Sequence, residues 1–287
     1  MPLTTLVSTA ELALHLNDPA WVILDCQHDL MNPEFGRTAY AQEHIPGARF
    51  ISLDDDLADH AGHGRGRHPL PPPAALAAAF SRLGIDADKQ VVIYDSAGGS
   101  YAARAWWCLR WLGHPAAAVL DGGITQWRTE GRTLSAEQPP WRAAVFEAQP
   151  VDSMKVDSAA VLALINQPGL GISSGRVIDA RAPERYSGST EPIDPVAGHI
   201  PGALNRFWKN NLAADGRFKT SAQLRCELTM MAGSLTPQQL IHQCGSGVTA
   251  CHNLMAMEVA GLTGGRLYPG SWSEWCADPA RPVATGI

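Results

Sequence analysis

Short apolar runs alternate along this chain with stretches whose apolar positions recur every three or four residues. The first kind predicts buried β-strands and the second amphipathic α-helices. "STAELALHL" (8–16) reads as a helix, with Ser8 and Glu11 spaced as a capping box. The run "VILD" (22–25) reads as a short strand ending in a carboxylate. "PPAALAAAFSRLG" (72–84) reads as a helix stopped at Gly84, "QVVIYD" (90–95) as a buried strand and "YAARAWWCLRWLG" (101–113) as a further helix. "AAVLDGG" closes that block as another strand. Strands alternating with helices predict parallel α/β units.

The pattern is then written a second time. "DSAAVLALI" (157–165) is a helix capped by Asp157 or Ser158, and "RVID" (176–179) is again a short strand ending in Asp. "AQEHIPGARF" (41–50) returns as "VAGHIPGALN" (196–205), and "DGGITQW" (121–127) as "PGSWSEW" (269–275). Only two copies occur, at long spacing, so duplicated domains are expected and a solenoid is not. Between them lies an irregular, proline-containing stretch, "TLSAEQPPWRAAVFEAQPVDS" (133–153), which reads as a linker.

Composition narrows the partners. The 287 residues are 45% hydrophobic and 17% charged, as in a globular protein with a sizeable core. The formal net charge is −6 and Lys and Arg are scattered, so nucleic acid is not an expected partner. One basic stretch, "HGRGRHPLP" (63–71), is either a solvated loop or part of an anion site. No apolar run approaches the roughly 20 residues that span a bilayer. The first residues lack a signal-peptide pattern, so the expectation is a cytoplasmic protein without membrane attachment.

Six cysteines are spread through the chain without CxxC pairs or zinc-ligand spacing. Neither a disulfide framework nor a structural metal is expected, and most of these thiols should be small buried hydrophobes. Cys244 differs. It ends the apolar run "QQLIHQC" and precedes "GSGVTA" and the helix-like "CHNLMAMEVAGLTG". Ligands of open α/β sheets bind at the carboxyl ends of strands. A loop of small residues entering a helix can converge its N–H groups on an anion, and a thiolate is such an anion. A buried cysteine beside a tight turn is the plainer reading. A cysteine phosphatase would need an arginine where Ala250 stands, and residues 245–252 contain no Arg or Lys. Transfer of sulfur through a persulfide needs only amides and hydroxyls around a monoanion. Cys251, about two turns along the helix, reads as structural.

The duplicated HIPGA, the strand-ending Asp, the cysteine loop and "GSWSEW" together resemble the two-domain rhodanese superfamily, over nearly the whole chain. "CGSGVTAC" resembles the branch that uses 3-mercaptopyruvate, because thiosulfate-preferring members carry Arg and Lys where Gly245 and Ser246 stand. The resemblance implies an α/β fold of two tandem rhodanese-like domains, each a parallel β-sheet flanked by helices on both faces. These would occupy residues 1–132 and 154–287, joined by the linker 133–153. Asp95 occupies the cysteine position of the first copy, which implies a catalytically silent domain. The implied reaction moves sulfur from 3-mercaptopyruvate to a small thiol, cyanide or a thioredoxin-like protein, with no metal or organic cofactor. Thiosulfate:cyanide transfer and a non-enzymatic sulfur carrier are the alternatives.

Matched residue by residue, the resemblance makes Cys244 the persulfide carrier. Gly245, Gly247, Val248, Thr249 and Ala250 form its cradle. Ser246, His68 and Asp54 become a hydroxyl–imidazole–carboxylate relay. Arg185 becomes one of two arginines for a substrate carboxylate. The second arginine is missing: Ile193 and Asp194 stand near its expected place, and Arg104 and Arg49 are candidate substitutes.

Overall fold

The computed structural model describes residues 1–61, 65–138, 140–166 and 175–286. The first sheet is built from β1 (Leu6–Val7), β2 (Trp21–Asp25), β3 (Arg49–Phe50), β4 (Gln90–Tyr94) and β5 (Ala117–Leu120), in the order β1-β5-β4-β2-β3. Every pairing is parallel. Helices α1 (Thr9–Leu14), α2 (Phe35–Gln42), α3 (Pro73–Arg82), α4 (Ala102–Trp111) and α5 (Gly123–Thr129) surround it. β4 is covered on both faces, as its unbroken apolar run requires. α4 is buried along nearly its whole length, including Arg104.

The second sheet repeats this with α6 (Ser158–Ile165), β6 (Arg176–Asp179), α7 (Pro183–Ser187), β7 (Leu204–Asn205), α8 (Ser221–Ala232), β8 (Leu240–Gln243), α9 (Thr249–Val259), β9 (Arg266–Leu267) and α10 (Ser271–Trp275). Its order β7-β6-β8-β9 is again wholly parallel. An isolated parallel bridge, Lys155 to Leu267, stands where the first sheet has β1. No helix among the described residues is long and apolar enough to cross a membrane.

The chain forms two compact units. The first comprises Met1–Asp59, Pro71–Val151 and Ala214–Arg217; the second comprises His60–Leu70, Asp152–Ala213 and Phe218–Ile287. The cut differs from the sequence repeat at one important place, because His60–Leu70 clusters with the second unit. The linker stretch packs within the first unit: Phe146 is buried, and Gln149 and Val151 donate to the carbonyls of Leu112 and Trp111.

The repeated motifs do structural work in both copies. His44 Nδ1 lies 2.7 Å from Tyr40 O, and His199 Nδ1 lies 2.8 Å from Tyr186 O. Each ring stacks on the same tyrosine. Trp127 and Trp275 each donate an indole N–H, at 2.9 Å, to a carbonyl six or seven residues on. The strand-ending carboxylates share one geometry but differ in the charge of their partners. Asp25 accepts from the Gln27 amide and side chain and from Tyr94 Oη, all neutral donors. Asp179 accepts from the Arg181 guanidinium, which also sits over the Trp272 ring.

That difference sets a pH dependence. Burial pushes the Asp25 carboxyl up to about 6, against the lowering effect of its Gln27 and Tyr94 hydrogen bonds. An unfolded aspartate titrates near 3.8. The folded chain therefore holds this proton more tightly. The resulting stability is complete below the unfolded value and is lost as pH rises through the folded one. Asp25→Asn should remove about 3 kcal/mol of stability change between roughly pH 4 and pH 7. Denaturant unfolding of both proteins across that range checks it, and parallel curves would rule it out.

Candidate active site

β8 delivers Cys244 to the carboxyl edge of the second sheet, and α9 begins five residues later at Thr249. The duplicate loop shows what this turn does. In the first unit, Asp95 follows β4 and its carboxylate fills the equivalent loop. Oδ1 accepts from the amides of Ala97 and Gly99 at 2.8 Å, and Oδ2 from those of Tyr101 and Ala102 at 2.8 and 2.9 Å. Four N–H groups thus converge on one anion, the geometry of a backbone nest. Gly98 and Gly247 hold the same place in the two loops and both have positive φ, +68° and +78°.

In the second unit the residue at that position is Cys244, 3% exposed. Its amide donates to Ser271 Oγ at 3.1 Å, and that hydroxyl donates to Tyr268 O. Its carbonyl accepts from Trp272 N at 3.0 Å, as the Asp95 carbonyl does from Ile124 N. Among the described residues, Ser271 is the non-glycine with positive φ, at 54°. Gly123, also positive, holds the matching place in the first copy. The strained serine keeps the backbone hydrogen bond of Trp272 and adds a hydroxyl that accepts from the Cys244 amide. The Cys251 thiol donates to Gly247 O at 3.3 Å and so braces the loop.

Ser246 and His68 meet. His68 Nδ1 is 2.7 Å from Ser246 Oγ, and both residues are buried. His68 arrives on the segment that belongs to the second unit, whose Arg67 amide donates to Ser273 Oγ on α10. Asp54 lies in the first unit, with its carboxylate 4.0 Å from His28 Nδ1.

Arginines frame the loop. A Cβ built on Gly245 would lie 2.9 Å from Arg67 Nη2 and 3.6 and 3.7 Å from the two terminal nitrogens of Arg185. Asp194 bridges these guanidiniums: Oδ1 is 2.5 Å from Arg67 Nη1 and Oδ2 is 2.9 Å from Arg185 Nη2. Glu191 pairs with Arg185 at 2.8 Å and with Arg181 at 3.3 Å. Burial pushes the Glu191 carboxyl up, but Arg185 and the amides of Asp194 and Ile193 hold it below its ordinary value.

Both substitutes named for the missing arginine are engaged within the first unit. Arg104 is fully buried in the first unit and donates to Leu57 O, while Arg49 donates to Leu83 O and lies over Trp141. Sequence reading passed over Arg67, although it sits in the basic stretch 63–71 directly before His68. His63 and Gly64 of that stretch lie outside the described residues.

A family model described as a rhodanese-like domain matches residues 8–130 and again 159–278. The chain is 45% identical over 283 residues to a probable 3-mercaptopyruvate sulfurtransferase of Pseudomonas aeruginosa, covering 98% of both chains. It is 41% identical over 284 residues to a putative thiosulfate sulfurtransferase, SseB, of Mycobacterium tuberculosis, covering 98% of this chain and 97% of that one. Among solved structures, the 3-mercaptopyruvate sulfotransferase SseA from Escherichia coli superposes with a TM-score of 0.79 at 31% identity, covering 94% of this chain and 100% of that one.

Proposed function

Because the chain belongs to the rhodanese family, in two copies of its domain, we propose that it is a sulfurtransferase taking sulfur from 3-mercaptopyruvate through a persulfide on Cys244. The carrying observation is the nest. The first copy spends its convergent amides on its own Asp95 carboxylate, which leaves that copy without a nucleophile. The second presents a thiol at the same place.

The Cys244 thiolate attacks the donor sulfur, and its electron pair becomes the S–S bond. The donor C–S bond breaks and its electrons pass to the pyruvate enolate. The enolate takes one proton to become pyruvate, and the persulfide releases the proton of the donor thiol. A thiolate or cyanide then attacks the outer sulfur and restores the Cys244 thiolate. Small thiols, cyanide and thioredoxin-like proteins fit this second step. Ser246 and His68, hydrogen-bonded to each other, are the proton source for the enolate.

Proton delivery separates the donors. Sulfite leaves thiosulfate as a stable anion and needs no proton, whereas the enolate does. Ser246→Ala is expected to lower kcat for 3-mercaptopyruvate by about 100-fold, with a much smaller effect on thiosulfate. Steady-state kinetics with both donors on one preparation checks this. Wild-type protein with a higher kcat/KM for thiosulfate would move the assignment to thiosulfate:cyanide transfer, the activity named for the M. tuberculosis relative. A persulfide that forms but turns over only with one dedicated protein would instead make the chain a sulfur carrier.

A further inference from the structure

We infer that Arg67 is the second cation for the donor carboxylate, recruited to the cysteine loop by Asp194. This rests on the 3-mercaptopyruvate reading. The two guanidiniums nearest Gly245 are those of Arg67 and Arg185, and Arg67 comes closer than a side chain at Gly245 would allow. The carboxylate of 3-mercaptopyruvate lies at the far end of a three-carbon chain from the sulfur. With its sulfur at Cys244, a chain of that length can reach the guanidiniums beside Gly245, the next residue.

Charge supports the assignment. Arg67, Arg181 and Arg185 face Asp179, Glu191 and Asp194, and the charges cancel. Without Arg67 the cluster would be net negative and would repel an anionic donor. Asp179, Glu191 and Asp194 are almost wholly buried, and so is Arg181, whose side chain is 1% exposed and fully engaged inside the cluster. The Arg67 and Arg185 side chains keep 29% and 18% exposure. The outer pair therefore retains donors that can face a ligand. Arg67 Nε is buried and has no acceptor among the described residues. Asp194 holds both guanidiniums at once, and two like charges need such a bridge to stay together. A carboxylate next to the place where the resemblance called for an arginine thus becomes intelligible: it draws in a cation from a distant segment.

The test compares 3-mercaptopyruvate with mercaptoacetone, which keeps the thiol and carbonyl but lacks the carboxylate. Arg67→Gln is expected to reduce kcat/KM roughly 10- to 100-fold more for 3-mercaptopyruvate than for mercaptoacetone, mostly through KM. Arg67→Lys, which keeps the charge but loses the planar fork, should fall between. It also decides the matter if the glutamine variant does not fold. Equal losses for both donors, or no loss, would overturn the inference. Pyruvate binding, read by tryptophan fluorescence, should weaken by a similar factor in Arg67→Gln. Failure of the donor reading appears separately, as a thiosulfate preference in the wild type. In that case the pyruvate titration still decides, and wild-type protein that does not bind pyruvate overturns the role of Arg67.

Discussion

Cys244→Ser should lose sulfur transfer by a factor of at least about 1,000 with every donor, while the protein stays folded. Serine is close in size to cysteine and keeps the backbone hydrogen bonds to Ser271 and Trp272. It cannot ionise near neutral pH and cannot form an S–S bond. Were Cys244 only a small residue of the core, the same change would cost a little stability and leave catalysis intact. Measuring kcat/KM and the thermal midpoint on one sample distinguishes the two. Full activity in the serine variant would exclude a persulfide at this position.

The second large effect is expected at Gly247. Its φ of +78° lies in the left-handed region, and an added Cβ would meet Pro269 O at 2.3 Å. No flexible side chain can move to relieve that contact, because the obstacle is backbone. Gly247→Ala should destabilise the second unit by about 3 kcal/mol or more, combining the left-handed cost with the clash. It should also disturb the loop, since Gly247 O accepts from the Cys251 thiol, and lower kcat/KM at least about 10-fold. Gly216 is the control. Its φ is +81° and an added Cβ meets nothing within 4 Å. Gly216→Ala should cost only about 1 kcal/mol and leave turnover unchanged. Equal effects at the two glycines would show that the close approach to Pro269 contributes nothing.

What the sequence made legible was local. HIPGA, the strand-ending Asp25 and Asp179, and the small-residue loop after β8 each occupy a few consecutive residues. Short apolar runs placed β2, β4, β5, β6 and β8. The helix after the cysteine begins at Thr249, slightly before the apolar period suggests. α8 went unread because only Leu224 and Leu228 of its residues are buried, which leaves a faint apolar stripe. α2 is equally thin, burying only Gly36 and Tyr40.

The site was half legible for the same reason. Cys244 and its cradle are contiguous, and Arg185 stands in a recognisable local setting. Arg67 escaped because its neighbours in space, Asp194 and Gly245, are far along the chain, and because His60–Leu70 belongs to the second unit despite its position within the first repeat. Asp194 was visible only as a departure from pattern until its two guanidinium partners were known. The contrast between Gln27 and Arg181 behind the two buried aspartates was present in the sequence. Its meaning depended on knowing that both carboxylates are fully enclosed.

Incubating the protein with 3-mercaptopyruvate in the absence of any acceptor, then alkylating and measuring peptide masses, addresses the central chemistry most directly. Sulfur transfer through Cys244 requires one additional sulfur atom on the peptide containing that residue, lost again when a thiol or cyanide is added. Pyruvate should be released in equal amount. Additional sulfur on Cys251 alone, or pyruvate released with no sulfur retained on Cys244, would contradict it.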